Sequence, residues 1–118
     1  MNTNTTIIVK LVVDGMHNFP KAAELFPEVA FLADRHRHMF NFTVAKKVNH
    51  DDRDVEFIMF KRDILEYINS KYYDYTTRTC EFKAQSCEML AREILTQFEC
   101  EWVEVWEDNE NGAKVEKV

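Results

Sequence analysis

The sequence predicts an α+β fold, an antiparallel sheet in the order ββααββ with two helices packed on one face. Three observations carry this: segments alternating apolar and polar residues at both ends, two segments of helical spacing between them, and few breakers, with two Gly and two Pro in 118 residues. At 46% hydrophobic and 13% aromatic, residues 1–118 have the length and composition of a single domain with its own core. The polar residues 1–6 are expected to be disordered at its edge.

Residues 7–13 are β-branched and aliphatic, with Ile7, Val9, Leu11 and Val13 on one face and Lys10 on the other, and form the first strand. Residues 18–31 hold Pro20 and Pro27 around a short apolar stretch and read as a long connection with one helical turn starting at Pro20. From His36 to Ala45 the alternation returns: His36, His38, Phe40, Phe42 and Val44 share one face, and Arg37, Met39, Asn41 and Thr43 the other. The polar cluster at residues 49–54 ends this second strand, and residues 55–59 are expected to be a short extended piece.

Phe60, Ile64, Leu65, Ile68 and Tyr72 recur at helical spacing and define a helix over residues 60–72. A tyrosine-rich loop over residues 72–85 follows. Ser86 is a good N-cap with Glu88 in the first turn, and Cys87, Leu90, Ala91, Ile94, Leu95 and Phe98 give the apolar stripe of the second helix. Residues 101–107 alternate again, with Val103, Val105 and Glu107 on one side, residues 108–112 form a turn, and residues 113–118 return as the last strand.

The net charge of −6 offers nothing to attract phosphate, so no nucleic-acid partner is expected. No signal-peptide pattern or membrane-length apolar run occurs, so no membrane partner and a cytoplasmic location are expected. Cys80, Cys87 and Cys100 form no C-x-x-C unit and are expected to be reduced thiols.

The candidate chemistry lies in the histidines. On a strand, His36 and His38 point the same way with their Cα atoms about 7 Å apart. Antiparallel pairing brings the end of the first strand beside the start of the second, and the parity of the first strand continues through Gly15 to His17. Three imidazoles then meet at one edge of the core, a donor set suited to zinc with an open position. Glu107 follows the apolar parity of its strand and points the same way; a half-buried carboxylate needs a partner, and the amidine-like edge of a heterocycle is one. His50, in a charged turn, is expected to be a surface residue.

A histidine after the first strand, H-x-H opening the second, a Ser-x-Glu start to the second helix and V-x-V-x-E near the end resemble the 6-pyruvoyl-tetrahydropterin synthase family. That family includes the 6-carboxy-tetrahydropterin synthases of deazaguanine biosynthesis. The resemblance implies the tunnelling fold, in which such subunits close their sheets into a barrel as a homo-oligomer, a trimer or hexamer with ligand sites between subunits. It also implies zinc on His17, His36 and His38, and a small pterin or purine-like ligand anchored by Glu107. The family's catalytic cysteine corresponds to Leu32, its Asp-His pair after the first helix to Asp74 and Tyr75, and the glycine between its zinc histidines to Arg37. The metal and anchor positions are kept, the cysteine and histidine of the proton relay are not, and general acid-base assistance is worth roughly 10²- to 10⁴-fold in rate. Tyr75 or Cys80 could substitute.

Three functions follow as expectations. The first is a zinc-dependent carbon-oxygen lyase acting on 7,8-dihydroneopterin triphosphate, with Asp74 and Tyr75 at the catalytic positions and Arg35 or Arg37 neutralising the triphosphate. The second is a relative that binds a pterin, purine or nucleotide-like ligand without turnover. The third is a structural oligomer with incidental histidines.

Overall fold

A computed structural model describes all 118 residues, Met1–Val118. Two long strands form its spine. β1 (Thr5–His17) and β2 (His36–Val48) pair antiparallel along all thirteen residues, from Thr5 opposite Val48 to His17 opposite His36. The pairing keeps like parity together, so Val9 faces Val44, Leu11 faces Phe42 and Val13 faces Phe40 on the side that the helices cover. β5 (Trp102–Glu107) lies beside β2, placing Val103 against Val44, Val105 against Phe42 and Glu107 against Phe40, and β6 (Asn111–Glu116) closes that side as a hairpin.

The other side departs from the expected antiparallel ββααββ sheet. Residues 72–85 are not a plain loop but contain β3 (Tyr73–Asp74) and β4 (Thr79–Lys83), and β4 joins the end of β1 in parallel. The sheet is therefore mixed and six-stranded, in the order β3-β4-β1-β2-β5-β6. The gain is burial: Cys80 and Phe82, alternating inward from β4, are each 1% exposed and extend the core past the end of β1.

The connection between β1 and β2 carries more structure than one turn, namely α1 (Ala22–Leu25) and a 3-10 segment, Pro27–Ala33, broken at Val29. α2 (Phe57–Tyr72) starts three residues before the expected position, and no extended piece precedes it within residues 55–59 beyond the cap. Glu56 is that cap: its carboxylate accepts from the backbone N–H groups of Ile58 (3.0 Å) and Met59 (3.1 Å). α3 (Cys87–Phe98) begins as the sequence suggests, with the Ser86 hydroxyl accepting from Met89 N–H at 3.1 Å. Both long helices lie on the face of Leu11, Phe42 and Val105, where Phe60, Ile64 and Ile68 of α2 and Leu90, Ala91 and Ile94 of α3 complete one core. No helix is long and apolar enough to cross a membrane.

Candidate metal centre

The end of the β1–β2 ladder builds the site. His17 sits opposite His36, and Gly15 opposite His38, two positions from where Val13 opposes Phe40. The apolar row of the core thus runs on into a row of imidazoles with no change of face. Phe40 is the floor, its ring 5.0 Å from His17 and 5.7 Å from His38, both edge-to-face. Gly15 has no side chain because there is no room for one: a Cβ would come within 2.5 Å of Phe82 and 2.8 Å of Phe40.

The three rings lie close together, with centroids 4.6 Å apart for His17 and His36, 5.3 Å for His17 and His38, and 5.0 Å for His36 and His38. Glu107 enters from β5 on the same face, and one donor atom from each of His17, His36, His38 and Glu107 lies within 4.8 Å of every other. Zinc–nitrogen bonds of about 2.0–2.1 Å require each ligand to close in by less than about 1 Å from such a cluster. The four residues could hold a metal ion.

The hydrogen bonds behind the rings fix which nitrogen faces inward. His17 Nδ1 lies 2.9 Å from the Gln85 carbonyl, His36 Nδ1 2.7 Å from the Asp34 carbonyl, and His38 Nδ1 2.7 Å from an Asp108 carboxylate oxygen. Carbonyls and carboxylates only accept, so each Nδ1 carries a proton, and Nε2 is the nitrogen left to serve as a metal ligand. Glu107 Oε2 lies 2.8 Å from His17 Nε2 and 3.5 Å from His38 Nε2.

Charge follows from these contacts. Burial opposes a positive charge on His17, but the bonds to Glu107 and the Gln85 carbonyl outweigh it, and its pKa rises above the usual value. The bond from His17 holds Glu107 below the ordinary carboxylate range against the opposing effect of burial, helped by the charges of all three histidines. His17 has an acceptor at each ring nitrogen, the Gln85 carbonyl at Nδ1 and Glu107 at Nε2, and donates to both only as the doubly protonated imidazolium.

A cavity of about 750 Å³ opens beside the cluster. His17, His36 and Glu107 reach it from the sheet, Phe19, Lys21 and Phe26 from the β1–β2 connection, and Ser86 to Met89 from the start of α3. Leu32 lines it too, in the position where the family resemblance sets a cysteine.

Other sequence-based candidates lie elsewhere. Asp74 ends β3, where its carboxylate accepts from Thr76 N–H at 2.8 Å, and Tyr75 is 87% exposed with its ring against Tyr73; neither lines the cavity. Their place on the β3–β4 turn, carried from the resemblance by order along the chain, is set by the pairing of Asp74 with Thr79. Cys80 is a core residue, its thiol pushed up to about 11 chiefly by burial. Arg35 pairs with Glu81, and Arg37 pairs with Asp14 at 2.6 Å on the face away from the histidines. His50 is exposed, 3.5 Å from Asp54.

Sequence reasoning missed Asp108, Gln85, Asp34 and Cys87. Only Asp108 carried a signal, being a second acid directly after Glu107 in a strand that has just carried its parity into the site. The other contributions are main-chain carbonyls and a thiol in an apolar stripe.

Fold and site define an α+β protein with a three-histidine, one-glutamate cluster at the end of its central strand pair. No protein-family model matches this chain, and a search of curated proteins finds no match to it.

Proposed function

We propose that this chain is a zinc-binding protein of the pterin-synthase kind, built on the tunnelling fold, that takes a pterin or purine-like ligand into the cavity beside its histidines. One observation carries the reading: three clustered imidazoles each have Nδ1 tied back by an acceptor, the outer arrangement expected of metal-ligating histidines. His17, His36 and His38 would hold the ion through Nε2. When bound, zinc supplies a Lewis acid that polarises a ligand oxygen and lowers the pKa of a bound hydroxyl.

The remaining work belongs to the chain. Glu107 stands ionised beside the cavity, and a carboxylate can accept the paired N–H groups of an amidine-like heterocycle edge. Phe19 and Phe26 offer apolar surface to the faces of a planar ring. Closure with further copies of the chain is supported by two bare edges: β6 ends the sheet, and β1 has β4 beside it only at Gly15–His17.

Binding without turnover is the stronger form of the proposal. Leu32 has no proton to give, and Asp74 and Tyr75 lie off the cavity within this chain. The lyase form is favoured by a single feature, the Cys87 thiol in the cavity wall, which burial and then the charges of Glu107 and Glu88 push up to about 12. Such a thiol keeps its proton at neutral pH and is a poor base.

Mass spectrometry of small molecules released from the purified protein, with incubation of the zinc-loaded protein with 7,8-dihydroneopterin triphosphate, tests both forms. A co-purifying pterin or purine-like compound and no product is expected. Product formation would move the conclusion to the lyase, and neither ligand nor product, with no zinc bound, would leave only a structural role.

A further inference from the structure

The outer partners of the three histidines are unequal. His17 and His36 lean on neutral main-chain carbonyls, whereas His38 Nδ1 meets a carboxylate, Asp108 Oδ2, at 2.7 Å. Consecutive acids therefore bracket one ring: Glu107 lies 3.5 Å from Nε2, and Asp108 is bonded to Nδ1.

Asp108 is itself held in place. Its backbone N–H donates to Met39 O at 2.8 Å, and its second carboxylate oxygen accepts from Met39 N–H at 2.9 Å, so it is hooked to the residue following His38. It also has φ of +51°, with Asn109 at +61°, a left-handed conformation that aspartate and asparagine tolerate better than most L residues. The β2–β5 ladder thereby gains one more main-chain bond past Glu107, and the Asp108 carboxylate takes the place of a main-chain carbonyl as acceptor for Met39.

We infer that Asp108 is a positioning residue for the metal centre, fixing the His38 ring with its proton on Nδ1 and making Nε2 a stronger donor to the cation. The inference rests on the zinc reading above and concerns a residue that touches neither metal nor ligand. Carboxylate–histidine–metal chains act this way generally, and loss of such an outer partner costs about 10- to 100-fold in metal affinity.

The test uses Asp108→Gly, which suits the positive φ and removes the acceptor, and Asp108→Asn, which keeps an acceptor oxygen without the charge. Zinc affinity by competition with a chromophoric chelator is expected to fall about 10- to 100-fold in Asp108→Gly, and Asp108→Asn should fall between it and the wild type. The ¹⁵N NMR signature of the metal-free histidines separates positioning from general damage. His38 is expected to lose its Nδ1–H form in Asp108→Gly, with His17 and His36 unchanged. Zinc affinity equal to wild type in Asp108→Gly, or an unaltered His38 tautomer, would overturn the role, as would an Asn variant no better than Gly. A wild-type protein that binds no zinc would instead overturn the metal site, with the His38 tautomer still reporting whether Asp108 orients the ring.

Discussion

Removing one imidazole should uncouple the protein's stability from zinc. His36 is the informative choice because its ring reaches the cavity, is only partly buried, and has one hydrogen bond outside the cluster, to the Asp34 carbonyl at 2.7 Å. His36→Ala should therefore cost the metal-free fold little, about 0.5–1 kcal/mol. An ion that binds only the folded chain adds about 2.7 kcal/mol at a hundredfold excess over its Kd. For a chain of this size, each kcal/mol moves the midpoint by about 4 °C, so zinc should raise the wild-type Tm by about 10 °C. The variant, left with His17, His38 and Glu107, should respond by less than about 2 °C at the same free zinc. The sign with pH is also set: His17 has a raised pKa and must shed its proton to bind, so the wild-type shift should grow as pH rises from 6 to 8. Differential scanning fluorimetry against buffered zinc measures all of this. Equal melting of wild-type protein with and without zinc, or a full shift in His36→Ala, would refute the reasoning.

Two further outcomes concern the fold around the site. Gly15→Ala places a methyl within 2.5 Å of Phe82 and 2.8 Å of Phe40, both about fully buried and unable to yield, and should destabilise by about 1–3 kcal/mol in chemical denaturation. Glu93 accepts from Tyr67 (2.7 Å), from Lys71 (2.6 Å) and from Tyr72, whose hydroxyl also takes a bond from Gln85 Nε2 at 2.6 Å. Burial raises its pKa, but the three donors outweigh it and the net shift is downward. A depressed carboxylate stabilises fully above its unfolded pKa and loses that contribution as pH falls through the folded value. Wild-type protein should thus lose more stability than Glu93→Gln on acidification below about pH 4.5, measured by urea unfolding at a series of pH values. Parallel curves for the two would count against the network.

Much of the site was legible because strand parity is rigid. Side chains alternate with period two, so Val9 to His17 and His36 to Val44 had to share faces once the two segments paired, and Glu107 followed from Val103 and Val105. The start of α2 was not legible: Phe57, Ile58 and Met59 are more than half exposed and blur the helical stripe, and the cap is a glutamate. β3 and β4 were hidden because a two-residue and a five-residue strand carry too few alternations to show a period, and β4 depends on a parallel partner more than sixty residues away.

By itself the sequence determined the two helical stripes, the long strand pair and the common face of His17, His36, His38 and Glu107, since each is a periodicity that local geometry enforces. The tertiary structure alone decided the mixed order of the sheet, the removal of Asp74 and Tyr75 from the cavity and the acceptors behind each imidazole. Those features depend on main-chain carbonyls and turns brought together across long separations, and such groups leave no mark in side-chain pattern.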